Sequence, residues 1–204
     1  MNSISIGAQV FRALLRARLG VLTMALTYVL GVASGMVMVH TGNESALAYR
    51  DSLVARARAS DPSLIALRQG NRLTAALWDF GRNLLLGAVP NTIAGLSVVV
   101  PYPLAAHRGW VGGIVSVDSA HLSRLTQPSE ALYYLVTLIL QLVPYSLAGG
   151  AGVNLGIAYL RPQPFYQGDK WYGVPKEAIR DALRIYLLVA PLFLVASLWE
   201  FLAR

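Results

Sequence analysis

Four long apolar stretches, parted by polar or proline-bearing segments, set the pattern of this chain. The first, about 19–40, carries no Lys, Arg, Asp or Glu. At 1.5 Å per residue, a helix over it crosses ~30 Å of hydrocarbon. Stretches at about 82–104, 131–160 and 183–203 have the same character, and 110–125 is shorter and half polar. Between the first and second lies a polar section, 41–81, that reads as helical. The pattern predicts an all-α, polytopic integral membrane bundle of four to five transmembrane helices, some interrupted, with interfacial amphipathic helices and one membrane domain over 1–204.

The interruptions refine each element. Asp61-Pro62 suits an N-cap followed by the first helical position, so one helix is expected before it and another after. Leu73, Leu77, Phe80 and Leu84 form a stripe for the second of these. Asn83, Pro90, Asn91 and Gly95 interrupt the 82–104 span, and Pro90 frees backbone groups that hydrocarbon cannot satisfy. Asn91 is one candidate to satisfy them. Pro101 and Pro103 are expected to end that span, with a tight turn at His107-Arg108-Gly109 and an interfacial anchor at Trp110. Residues 110–125, with Asp118, His121 and Arg124, are too few and too polar for a comfortable span and predict a short or re-entrant helix closed by Pro128. Pro175 opens a basic-acidic lead-in to the last span, which Pro191 should kink and in which Glu200 lies near the end.

Composition supports the membrane reading and narrows the chemistry. Of 204 residues, 55% are hydrophobic and 13% charged, against roughly 25% charged in soluble domains. Mean hydropathy is +0.52. The net charge of +7 is best read as loop and headgroup-facing arginine in a cell membrane, with lipid headgroups as partners and no nucleic acid. A signal peptide competes at the N-terminus, but its apolar run is long for one, and a retained anchor is expected. The absence of cysteine removes disulfides and thiolate metal sites.

Small residues mark the candidate helix-packing positions: Gly31 and Gly35 in the first span, Gly95 in the second, and Gly149, Gly150, Gly152 and Gly156 within the run AGGAGVNLG. The candidate intramembrane polar residues are Asn83, Asn91, Gln141, Asn154 and Glu200. No catalytic or metal site emerges. His40, His107 and His121 lack ligand spacing, and neither a Gly-x-Ser-x-Gly elbow nor a phosphate-binding Gly-x-x-x-x-Gly-Lys occurs. No cofactor is expected.

Phe80-x-x-Asn83, Gly95, Pro101, Leu104, Arg108-Gly109 and Gly112-Gly113, then Gln141-Leu142-Val143-Pro144 before AGGAGVNLG, and Ala196-Ser197-Leu198-Trp199-Glu200, occur in that order. Over roughly 80–204 this series resembles the stage II sporulation protein M family of bacterial and archaeal integral membrane proteins. The chain departs from the family where Arg108-Gly109 replaces an Asn-Gly pair, Val136-Thr137-Leu138 a Pro-His-Gly triplet, and Gln141 a glutamate. The resemblance implies five spans with the N-terminus inside. It also implies a non-enzymatic subunit, anchor or assembly scaffold whose partners are other membrane proteins, and the Gly/Ala helix faces add self-association as one form. The residues leave a second class open, a permease or channel-like component, because interrupted helices expose backbone near a midplane.

Overall fold

The computed structural model describes residues 5–161 and 164–203, and these are mainly helical, with one two-residue β pairing among them. Helix α1, Ile6–His40, starts at Ser5, whose side chain accepts from the Ala8 N–H. The basic lead-in and the apolar run are therefore one helix. Its buried residues, among them Ala13, Ala17, Gly20, Met24, Tyr28, Gly31, Gly35 and Val39, recur every three or four positions, while Leu15, Leu19, Leu22, Leu26 and Leu30 face outward.

The polar section folds as three helices. Helix α2, Glu44–Ser60, is capped by Asn43. Helix α3, Pro62–Arg68, begins with Asp61 as N-cap and Pro62 in the first turn, where the sequence places the boundary. A further break follows at Gln69-Gly70-Asn71: Gly70 takes φ of 79°, and Asn71 caps α4, Arg72–Gly81. Helix α4 buries Ala75, Ala76 and Asp79 and leaves Leu73 and Leu77 exposed.

The region from 82 to 125 departs from the expectation in three ways. The expected span at 82–104 is not one helix. Arg82–Ala88 is a π-helical turn, α5 covers Val89–Ala94, a 3-10 turn covers Gly95–Ser97, and Val98 has φ of 64°. Pro90 accounts for part of this, because it offers no N–H to the turn before it. The Val89 N–H instead reaches five residues back to the Leu84 carbonyl. Pro101 and Pro103 do not end a helix; they open α6, Pro101–Ile114, in whose first turn a missing N–H costs nothing. His107, Arg108 and Gly109 thus lie inside α6, and no tight turn exists there. Finally, 110–125 is not a helix of its own. Helix α6 stops at Ile114, Val117 bridges Ser123, and a 3-10 turn spans Arg124–Thr126.

Helix α7, Pro128–Leu160, is opened rather than preceded by Pro128 and carries Pro144 internally. Strands β1, Lys170–Trp171, and β2, Val174–Pro175, pair antiparallel ahead of α8, Lys176–Leu202. Among the described residues, three helices, α1, α7 and α8, are long and apolar enough to cross a membrane. Helix α6, at about 21 Å, is not.

Side-chain pairs fix the directions. Thr23 bonds Tyr102 and Gly35 abuts Trp110, so α6 runs parallel to α1. Asp79 pairs with Ser197 and Thr92 with Tyr186, so the α4–α5 segment runs against α8. Trp199 donates to Thr137 at the far end of the α7–α8 pair, whose near end joins Asn154, Tyr166 and Asp181. Residues 72–114 therefore form a broken helical hairpin with its tip at 95–103. Its open ends differ in what they meet: the α4 end packs on α3 and the end of α8, and the α6 end lies beside α2 and Val117.

Glycine makes this packing possible. Gly31 and Gly35 of α1 lie against the backbone of Ala106, Trp110 and Gly113, while Gly109 and Gly113 of α6 lie against Tyr28 and Val32. A Cβ at Gly20 would stand 2.8 Å from the Gly150 carbonyl oxygen, and one at Gly152 would stand 2.5 Å from that of Thr92. Gly95 and Gly156 face each other across the hairpin tip. A Gly35→Leu variant is expected to lose about 1–3 kcal/mol by overpacking. Gly7→Leu, where a Cβ meets nothing within 4 Å, should melt like the parent. Thermal melting of the two variants in one detergent checks this.

Candidate functional site: an arginine-lined cleft

A cavity of about 610 Å³ opens between the hairpin, α7 and the end of α8. Its floor is the α7 face bearing Tyr133, Tyr134, Thr137, Leu138, Gln141 and Tyr145. Helix α6 supplies one wall. Leu104, Arg108, Val111 and Val115 turn into the cleft because Ala105, Gly109 and Gly113 are turned to α1. The π turn and α8 supply the other with Asp79, Arg82, Asn83 and Glu200, and Leu53 and Arg124 close the top.

The π turn carries a hydrogen-bonded chain across this wall. Asp79 is 3% exposed. It accepts from Arg82 Nη2 at 2.9 Å, Asn83 Nδ2 at 2.9 Å and Ser197 Oγ at 2.8 Å. Tyr145 donates to Asn83 Oδ1 at 2.8 Å, and the Arg108 guanidinium lies 4.1 Å above the Tyr145 ring. Arg82 also pairs with Asp61, tying the turn to the α3 cap. Gly87 leaves room for the Tyr145 ring, since a Cβ there would stand 2.6 Å from its hydroxyl. Gln141 Nε2 reaches Glu200 Oε2 at 3.4 Å, and Tyr133 donates to the Glu200 backbone carbonyl at 2.7 Å. Below Arg108, Asn91 Oδ1 and Ser146 Oγ border a small closed void and have no hydrogen-bond partner.

Of the polar residues singled out in the sequence, Asn83, Gln141 and Glu200 converge here. Asn91 is buried beside Gly149, and Asn154 lies at the opposite end, donating to Tyr166 at 2.7 Å. There Tyr166 donates to Asp181, which also accepts from Arg16 Nε at 2.5 Å, Arg16 Nη2 at 2.6 Å and Arg184 Nη1 at 2.8 Å. Desolvation pushes the Tyr166 hydroxyl's pKa up. That network pins the 164–175 loop to α1 and α8. Gly31, Gly35, Gly95, Gly149, Gly150, Gly152 and Gly156 all lie against other segments of this same chain. Sequence reasoning missed Asp79, Arg82, Arg108 and Arg124. The signal for Arg108 was the Ala105-x-x-x-Gly109-x-x-x-Gly113 stripe, which places Arg108 beside the packing face of a helix rather than in a turn.

The loop carrying Arg124 is shaped by carboxylates. Asp118 accepts the backbone N–H groups of Ala120 at 2.8 Å and Leu122 at 2.9 Å. The Leu122 bond is the main cause holding its pKa below the usual carboxylate range. Asp51, paired with Arg50 and then His121, is lowered likewise.

No family model matches the chain, and neither a curated protein nor a solved structure does. Among the described residues, no three His, Asp or Glu side chains gather as a metal site. The cleft brings together three arginines, two carboxylates, several hydrogen-bond donors and an apolar wall.

The low pKa of Asp118 gives the loop a pH dependence. Its stabilisation is complete above the ordinary carboxylate range and is lost as pH falls through and below it. Amide exchange at Ala120 and Leu122, corrected for intrinsic rates, should therefore accelerate on acidification. In Asp118→Ala it should be fast at every pH.

Proposed function

We propose that this chain is a multi-pass protein of the cell membrane that receives a small ligand in its cleft, as the binding part of a permease-like component. Helices α1, α7 and α8 cross the membrane, and the hairpin of residues 72–114 enters and leaves from the side that carries α2 and α3. The observation that carries this reading is the cleft itself. Five charged side chains, Asp79, Arg82, Arg108, Arg124 and Glu200, line one cavity in a bundle whose outer face is Leu and Val. Charged groups turned to the interior of a membrane bundle mark binding and conduction paths.

The hairpin tip supports the re-entrant arrangement. Residues 96–104 read LSVVVPYPL without a charge, and Leu96, Val99, Val100 and Leu104 are exposed on the surface of the protein. Such a turn suits a depth where lipid or neighbouring helix surrounds it, and irregular backbone there needs protein cover. That cover comes from the Gly95–Gly152 and Gly95–Gly156 contacts and from Ser97, which accepts the Val100 N–H.

An anchor or subunit role, which the resemblance to the stage II sporulation protein M family favours, would call on a free packing face. The glycine faces that suggested one are engaged within the chain.

The natural absence of cysteine makes labelling direct. In sealed vesicles, Arg56→Cys and Thr137→Cys should react with a membrane-impermeant maleimide from the same side, and Val99→Cys from neither. Reaction of Val99→Cys from the side opposite Arg56→Cys would replace the re-entrant hairpin by two crossings. A Thr137→Cys that stays inert while Arg56→Cys reacts would remove the ligand-receiving cleft.

A further inference from the structure

We infer that the cleft is an oxyanion site, taking a phosphate-type group between Arg108 and Arg124; the inference rests on the ligand-receiving cleft proposed above. Charge pairing separates these two arginines from the third. Arg82 is engaged by Asp61 and Asp79. Arg108 and Arg124 line the same cavity, yet neither makes a salt bridge among the described residues. Three arginines against the two carboxylates Asp79 and Glu200 leave the lining with an excess of positive charge.

The two guanidinium groups are also held in place. The Arg108 Cζ lies over the Tyr145 ring, 4.1 Å from its centroid. Stacking on a ring face fixes the plane of a guanidinium and leaves N–H donors at its edge, the geometry that matches two oxygens of a phosphate. The Tyr145 ring is itself locked by Asn83 and packs edge-on against Phe193. Arg124 Nε is buried and has no hydrogen-bond partner, and an unsatisfied buried donor is costly until an acceptor arrives.

The remaining lining limits the ligand's class. Glu200 and Asp79 face the same space, which disfavours a polyanion and suits a single compact oxyanion. Leu104, Val111, Val115 and Leu138 give the cleft an apolar side, and Leu104, 43% exposed, extends that side to the outer surface. An oxyanion on an apolar tail, such as a lipid phosphate monoester, fills both sides. A free phosphate would use the arginines alone.

The test is thermal melting of the full chain in a neutral detergent, titrated with dodecyl phosphate, inorganic phosphate or dodecyltrimethylammonium. Dodecyl phosphate should raise Tm saturably, by roughly 5–10 °C at a hundredfold excess over its Kd. Arg124→Gln should weaken that binding by about tenfold or more, as loss of a charged hydrogen bond does. Arg108→Lys, which keeps the charge and loses the planar fork, should weaken it too while melting cooperatively. An equal rise with inorganic phosphate supports the site with a soluble source, and a rise with dodecyl phosphate alone supports it with a lipid source. Equal stabilisation by dodecyltrimethylammonium, or undiminished affinity in both arginine variants, overturns the inference. If no anion has an effect while Thr137→Cys still reacts, the oxyanion site falls and the cleft stands. If Thr137→Cys is also inert, both fall.

Discussion

Backbone-to-backbone contact between glycine-bearing helix faces is the constraint on which the rest of the structure depends. Apolar side chains gain little by leaving lipid for one another, so helices in a membrane associate through close van der Waals fit. Gly31 and Gly35 against Ala106, Trp110 and Gly113, and Gly20 against Gly150, bring α1 within backbone range of both α6 and α7. This three-way contact holds the short α6 upright beside α1. With its small-residue face spent on α1, α6 presents Leu104, Arg108, Val111 and Val115 to the other side. The cleft is the space left where α6 leans on α1 and not on α8.

The polar groups are arranged in two layers of different character. At the end nearer residue 16, Asp181 is fully buried and saturated by Arg16, Arg184 and Tyr166. Several donors on one buried carboxylate, one of them from Tyr166 of the 164–175 loop, make that layer a fastener for the loop. The layer near the π turn is only half saturated. Asp79 has a full set of donors, whereas Arg124 Nε, in the same lining, has no hydrogen-bond partner. One layer is closed and the other is open to a visitor.

The architecture was legible in the sequence wherever a single signal decided the outcome. The charge-free run after Leu19 and the long stretches at 131–160 and 183–203 fall within α1, α7 and α8, and Asp61-Pro62 marks a helix boundary. Where one residue type serves two purposes the reading failed. Proline ends helices and also opens them, so Pro101 and Pro103 read as a stop although they begin α6. Gly109 reads as a turn residue, but here it lets α6 touch Tyr28. With α6 misplaced, Arg108 fell into a loop and half the candidate site was lost. Asn83, Gln141 and Glu200 were found because a polar residue in an apolar stretch stands out on its own. Asp79 and Arg82 sat at the edge of a polar section and did not.

The length of α6 bears on how the protein is made. Fourteen residues are too few to partition into a bilayer as an independent helix, and the broken segment before it leaves backbone groups that lipid cannot satisfy. Neither arm of the hairpin can therefore be recognised by the insertion machinery in isolation. Helix α1 is synthesised first and offers α6 a parallel glycine face, whereas α7, which covers α5 and the hairpin tip, emerges only afterwards. Because α1 precedes α6 in the chain and α7 follows it, the glycine face at 31 and 35 is the surface α6 can meet before α7 exists to cover the hairpin.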